Sequence, residues 1–259
     1  MDNTIYKNRR NNLEKSLPKD SVLLIPGADT QFRNADSAYA FRQDSSFYYF
    51  SGFCEPSSLI AIVNNKDGIS SIAFVQPKDK LKEIWDGNRA GPIGAVDEFL
   101  FDKAYDNTQI DTIMPDILNG SSQVLYPIGK KSGFDQKVID WTTEASSKDR
   151  HSKSINIIDA SSLIGNARLI KDEHEIKLIR KACDISAEAH IEAMKSVKNI
   201  DSEEAMEGMY IHEFSKRGGR FQAYTPIVAG GENACILHYV ENNQKLQKSD
   251  LLLVDAGCE

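Results

Sequence analysis

Asp172-Glu-His-Glu-Ile-Lys-Leu-Ile-Arg-Lys-Ala-Cys-Asp-Ile-Ser-Ala-Glu-Ala-His-Ile-Glu-Ala-Met-Lys-Ser-Val197 is the stretch on which the reading of the fold turns. Ile176, Ile179, Cys183, Ala187, Ile191 and Met194 recur at helical spacing, with Lys177, Lys181, Glu188, Glu192 and Lys195 on the other side. That period belongs to a long amphipathic helix. Downstream, Asp201 or Ser202 can cap a second helix that Gly218-Gly219 should stop. Strands are expected at Thr225–Ala229, Ile236–Val240 and Leu251–Val254. Upstream the pattern differs. A helix is expected around Tyr6–Leu17, then strands at Val22–Ile25, Leu59–Val63, Ile72–Val75, Val124–Tyr126 and Ile155–Ile158. Helices at Ile110–Leu118 and Phe134–Ala145 lie between the last of these. Strands alternating with helices favour an α/β layer architecture. Two domains follow, residues 1–165 and residues 166–259, and the few strands expected in residues 166–259 make an unfinished sheet.

Composition limits the function classes. Of 259 residues, 41% are hydrophobic and 27% charged, as expected for a globular protein with a sizeable core. The formal net charge of -7 would repel phosphate backbones, so nucleic acid is not an expected partner. The opening residues MDNTIYKNRRNN lack an apolar leader region, and no apolar run approaches the ~20 residues that cross a bilayer. No membrane association and a cytoplasmic location are expected. Cys54, Cys183, Cys235 and Cys258 form no CxxC pair, which argues against a thiolate zinc site and reads as small core side chains. The aromatic run Phe47-Tyr-Tyr-Phe50 reads as a strand engaged in packing.

Two positions could carry chemistry. Asp255 ends the apolar strand Leu251–Val254 and is followed by Ala256-Gly257, an arrangement that suits a cleft carboxylate or a simple turn. His238 closes the apolar run after Gly230-Gly231, where it could be a ligand-facing or a structural histidine. His151, His174, His190 and His212 read as solvated or structural. No HExxH occurs, and His174 between Glu173 and Glu175 is no metal motif, because adjacent helix positions face different directions.

Longer patterns bring a resemblance. Gly231-Glu-Asn-Ala-Cys-Ile-Leu-His238-Tyr239-Val-Glu241-Asn242, then Asp250-Leu-Leu-Leu-Val-Asp255-Ala-Gly-Cys-Glu259, closely resemble bacterial Xaa-Pro aminopeptidase (aminopeptidase P). So do Ala35–Gly52 with its Tyr39, Arg42-Gln43 and Phe47–Phe50, Glu83-Ile-Trp85 with Gly87 and Arg89, and Arg168-Leu-Ile-Lys171 with Glu175. The resemblance implies an α/β N-terminal domain of the creatinase/aminopeptidase-P type followed by a pita-bread domain shared with prolidase, creatinase and methionine aminopeptidase. It implies hydrolysis of the bond between an N-terminal residue and a following proline by a water held between two divalent metals, usually Mn(2+). In the family these are ligated by two aspartates, one histidine and two glutamates. Asp255 matches the first aspartate. His238 matches a histidine that hydrogen-bonds substrate and stabilises the tetrahedral intermediate. Trp85 lies in a motif linked to a neighbouring subunit's site in oligomeric members, so a homo-oligomer is implied.

The chemistry agrees with the resemblance. Oxygen-rich sites suit manganese. Two ions about 3.5–4 Å apart can deprotonate a bridging water, and a histidine donor can stabilise an oxyanion. The other four ligands would come later in family members than residue 259. The chain is therefore expected to hold an incomplete pita-bread domain, and to be inactive and metal-poor by itself. Two alternatives stay open: a metal-free relative that binds peptides or proteins, and, among enzymes, prolidase.

Overall fold

Val22-Leu-Leu-Ile25 is apolar at every position, and the structure buries it on both sides. The structure is a computed structural model that describes residues 2–148 and 154–259. His151 lies outside the described residues. The chain divides into two compact units, Met1–Ile170 and Lys171–Glu259.

In the first unit, helix α1 (Thr4–Asn12) leads to strand β1 (Ser21–Pro26) and a small hairpin, β2 (Phe32–Asn34) with β3 (Ser37–Ala38). Helix α2 (Ser45–Ser51) precedes strands β4 (Leu59–Asn65) and β5 (Gly68–Val75). Helices α3 (Lys80–Asp86) and α4 (Gly91–Asp97), strand β6 (Lys103–Asp106), helix α5 (Ile110–Leu118) and strand β7 (Gln123–Tyr126) follow. Helix α6 (Phe134–Ser147), strand β8 (Asn156–Asp159) and helix α7 (Ser161–Leu169) complete it. The strands form a six-stranded sheet in the order β6-β5-β4-β1-β7-β8. β1 runs antiparallel to β4 and parallel to β7, which places it in the interior.

Because side chains alternate along a strand, β1 feeds two cores. Leu23 and Ile25 pack with Phe47, Phe50, Phe53, Phe101 and Ile164 on one face. Val22 and Leu24 pack with Met114, Leu118, Val138 and Trp141 on the other. A layer of helices on each face explains why the strand carries no polar alternation. The buried Arg10 joins three segments, donating from Nη1 to Phe50 O (2.8 Å) and from Nη2 to Phe99 O (3.1 Å) and Leu100 O (2.7 Å). Burial lowers its guanidinium pKa to about 10, with Asp102 opposing, so it stays charged at neutral pH.

Phe47-Tyr-Tyr-Phe50 is a correction: it lies in helix α2 rather than a strand. Asp44 caps that helix by accepting from the Ser46 and Phe47 amides, and Gly52 closes it at φ 65°. Phe47 and Phe50, three apart, share the buried face. A Cβ at Gly52 would lie 2.4 Å from the Tyr6 ring, so only glycine fits that stop. The hairpin, α3, α4, β6 and α7 were not anticipated. They are short, and α3 has no buried residue to mark it.

In the second unit, helix α8 (Glu173–Ser196) begins with a capping box in which the Asp172 and Glu175 side chains and amides bond reciprocally. Helix α9 (Glu203–Lys216) has Ser202 as its cap, and Gly218 follows it in the left-handed region at φ 95°. Strand β9 (Ile227–Gly230) pairs antiparallel with β10 (Leu252–Asp255). The extent of α8 matches expectation, but its inner face is a correction. Ile185, Ala189 and Ala193 are buried against Met206, Tyr210 and Phe214 of α9. Ile179, Ile191 and Met194 are 50%, 39% and 69% exposed. The helix carries two adjacent apolar stripes, and the one rich in alanine lets α9 approach closely. Periodicity alone does not rank them. Cysteine burial also differs: Cys258 is buried, whereas Cys54, Cys183 and Cys235 are exposed.

The expected strand Ile236–Val240 is absent. Gly231–Cys235 forms a 3-10 turn, His238 lies in the turn after it, and within 236–240 only Tyr239 is buried. Tyr239 is drawn inward by a hydrogen bond from its hydroxyl to Glu203. No helix among the described residues is long and apolar enough to cross a membrane.

Candidate functional site

Asp255 is the last residue of β10, opposite Ile227 of β9, and its side chain is exposed. Its Oδ1 accepts a 2.5 Å hydrogen bond from the Tyr224 hydroxyl. The hydroxyl's pKa is pushed up to about 12, first by that bond, then by burial and the carboxylate's charge. Tyr224 thus remains a donor at neutral pH. It is held there by a short ladder: Ala223 N–H donates to Gly257 O (2.9 Å) and Glu259 N–H to Phe221 O (2.8 Å).

Helix α8 holds the residues that follow. The Cys258 amide donates to Ser186 Oγ (3.2 Å), and His190 Nε2 lies 3.2 Å from Ala256 O. The Tyr210 hydroxyl, 2.7 Å from His190 Nδ1, has its pKa raised to about 12 by burial. Because the Ala256 carbonyl can only accept, the geometry suits an Nε2–H donor to it, with Nδ1 accepting from the Tyr210 hydroxyl. His190, read from sequence as solvated or structural, thus lies between Tyr210 and the Ala256 carbonyl. Gly257 makes no close approach: a Cβ there would meet Tyr224 at 3.5 Å, an ordinary contact.

His238 is exposed in the turn that follows β9, and its ring makes no hydrogen bond among the described residues. The framework around it is polar and buried. Glu203, the first residue of α9 and 0% exposed, accepts at Oε1 from Gly230 N–H (2.8 Å) and Asn233 Nδ2 (3.0 Å). At Oε2 it accepts from the Tyr239 hydroxyl (2.7 Å) and Gln244 N–H (2.9 Å). Burial pushes the Glu203 carboxyl up. The bonds from Gly230, Asn233, Gln244 and Tyr239 together outweigh it and hold the group below its ordinary 4.5. Asn242, 1% exposed, adds a second clip, taking Val228 N–H (3.0 Å) and donating to Pro226 O (2.9 Å) and Glu207 Oε2 (3.0 Å).

Trp85 belongs to the first unit and is 85% exposed on α3, beside Leu81 (75%) and Ile84 (76%). Asp255 and His238 belong to the second. Among the described residues no three His, Cys, Asp or Glu side chains converge as a metal site would need. One carboxylate does not fit a dinuclear centre.

Comparison with known proteins now adds the deciding observation. Residues 6–126 match the family model for the aminopeptidase P N-terminal domain, and residues 177–259 match metallopeptidase family M24. The Xaa-Pro aminopeptidases of Haemophilus influenzae and Escherichia coli are 35% and 34% identical over 98% of this chain. The chain is a partial relative of aminopeptidase P. The structure of Escherichia coli aminopeptidase P with the inhibitor Pro-Leu matches all of this chain with a TM-score of 0.94 at 33% identity. The chain spans 57% and 58% of the length of those two curated relatives, and 60% of that solved chain. Its fold is accordingly an α/β aminopeptidase P N-terminal domain followed by part of an M24 domain, a class of metallopeptidase that uses divalent metal.

Sequence reading singled out Asp255 and His238 as candidates, but it did not single out Tyr224, which bonds Asp255, or Glu203, which bonds the segment around His238. Tyr224 is an unremarkable aromatic before Thr225-Pro226, and its partner is 31 positions away. Glu203 reads as an ordinary first-turn helix acid. The available signal was Asn242, an asparagine inside a polar run and a residue type suited to the left-handed φ of 46° found there.

Proposed function

We propose that these residues serve an Xaa-Pro aminopeptidase that removes the N-terminal residue of peptides with proline at the second position. The single observation that carries this is the 34–35% identity to Xaa-Pro aminopeptidases over 98% of the chain, joined to an exposed Asp255 at a strand end. In this reading Asp255 would supply one carboxylate to a two-manganese site, and bound metal would supply activation of the attacking water. Tyr224 orients Asp255 through Oδ1, while Oδ2 makes no hydrogen bond among the described residues. His238 offers an imidazole donor to the substrate carbonyl, where charge develops. An Xaa-Pro bond has no N–H to recognise, so a donor aimed at the carbonyl matters more here than for ordinary peptides. The protein acts in the cytoplasm as a homo-oligomer. The exposed apolar face of α3, with Trp85, is the surface that suits a neighbouring subunit's site.

One aspartate cannot hold two ions, so the 259 residues alone are expected to show neither turnover nor stoichiometric metal. The test has two arms, both assayed with manganese on Xaa-Pro-Yaa and Xaa-Ala-Yaa peptides, with bound metal counted. One arm is the 259-residue chain. The other is a chimera in which these residues replace the matching part of the Escherichia coli relative. The chimera should release the N-terminal residue from Xaa-Pro-Yaa alone. Asp255→Asn should abolish metal binding, and His238→Ala should cut kcat roughly 10²–10³-fold. Turnover by the isolated chain, or a chimera indifferent to His238→Ala, would overturn these roles. Peptide binding without hydrolysis in both arms would favour the metal-free binding module.

A further inference from the structure

We infer that Glu203 is a positioning residue for His238: its buried carboxylate clamps the segment 230–244 in the conformation that presents the histidine. The consequence for catalysis rests on the reading of His238 above, whereas the clamp stands on the geometry itself. A glutamate in the first turn of a helix is ordinarily a solvated acid that interacts with the helix dipole. Glu203 is 0% exposed, and no lysine, arginine or histidine pairs with it among the described residues. Its charge is met by four donors, and their places in the chain are the telling feature. Gly230 and Gln244 are the two ends of the segment, and Asn233 and Tyr239 lie between them. The Glu203 amide also donates to Gln244 O (3.0 Å), which closes the far end reciprocally.

His238 immediately precedes one of these anchors. Ile236, Leu237 and His238 are exposed, at 52% and 83% for the first two, so packing does not hold them. The side chains of Asn233 and Tyr239 both donate to Glu203 and bond each other, and the Asn243 backbone also bonds the Tyr239 hydroxyl. Glu203 thus gathers the side-chain anchors of the turn itself, while Asn242 fixes the chain beyond it. Hydrogen bonds to a buried charge are stronger than neutral ones, and a donor left unpaired in such a place is costly.

The test uses the 259-residue chain and needs no turnover, so its outcome is separate from that of the peptidase assay. Glu203→Ala removes all four acceptor positions. Glu203→Gln keeps the shape but leaves one acceptor oxygen and an NH₂ group facing a backbone donor, so it frees one end of the segment. Tyr239→Phe removes only the anchor beside His238. Amide exchange at Gly230 and Gln244 should accelerate roughly 10–100-fold in Glu203→Ala, and at one of the two in Glu203→Gln. Ile185 and Ala189 of the α8 core should keep their protection. The His238 ring resonances should shift or broaden in all three variants. They should be unchanged in Ser202→Ala, which weakens the same helix start without touching the carboxylate. Unchanged His238 resonances in Glu203→Gln and Tyr239→Phe would overturn the clamp. Equal acceleration at every amide of the unit would also overturn it, because Glu203 would then supply only general stability.

Discussion

The first unit is held together by apolar layers and the second, around its candidate site, by buried polar clips. In the first, each residue of Val22–Ile25 is at most 1% exposed and the two faces of one strand feed separate cores. In the second, β10 alternates between half-buried and exposed positions, and the candidate-site loop is hydrogen-bonded through the buried Glu203 and Asn242. Apolar burial is indifferent to direction, so it fixes where a layer sits. Hydrogen-bonded carboxylates and amides fix which atom faces which, and that is what a site needs. The difference also makes the two units respond to different perturbations.

The largest expected effect is in the first unit. Leu24→Ala empties a place between β1 and the Met114, Leu118 and Trp141 layer and should cost about 2–5 kcal/mol. Denaturant unfolding, with hydrogen exchange to assign the loss to residues 2–148, checks this. A cost below about 1 kcal/mol would mean the layer collapses around the gap, contrary to a rigid two-faced core.

Acid should strike the second unit first. Glu203 titrates below its ordinary 4.5 when folded, so its contribution is complete above that value and is lost as pH falls through the folded pKa. Tyr239 touches it directly; Glu232 and Glu241 lie within its segment, and Asp250 beside Gly231 and Glu207 at Asn242 face that segment. Glu213, held low chiefly by Arg217, titrates in the same sense. In the first unit Asp79 and Asp159 are also held low by hydrogen bonds, but Asp79 is only half-buried, Asp159 is exposed, and both hold only helix or turn ends. As pH falls below 4.5, the protection factors of the Gly230 and Gln244 amides should therefore drop before those of β1 amides. Simultaneous loss in both units would break the comparison.

The same contrast explains what was legible in the sequence. β1, β4, α5 and α8 were readable because an apolar run or period needs no knowledge of its partner. Asp255 was readable as a carboxylate at the end of such a run. Tyr224 and Glu203 were not, since each acts through a bond to residues 27 or more positions away. The failures share a cause. Phe47–Phe50 resembled a strand because its aromatics outweighed the Asp44 cap and the Gly52 stop. Ile236–Val240 resembled a strand because nothing local shows that a carboxylate pulls Tyr239 inward and leaves Leu237 outside. The α8 stripe was misplaced because apolar spacing records that a face is buried, while the choice among adjacent faces lies with α9.

The smallest expected effect sharpens the comparison most. Leu253 of β10 sits opposite Ala229 and is 42% exposed, whereas its neighbours Leu252 and Val254 face the core of the unit. Little apolar surface leaves water at Leu253, so Leu253→Ala should change stability by no more than about 0.5 kcal/mol. Leu252→Ala provides the scale, because it removes side-chain volume packed against the cluster that holds Met206 and Val228. If the two substitutions cost the same, the outward face of β10 is covered in solution. The second unit would then be organised by apolar layers like the first, and the polar clips would be fine adjustment, no longer the main restraint on the loop that carries His238.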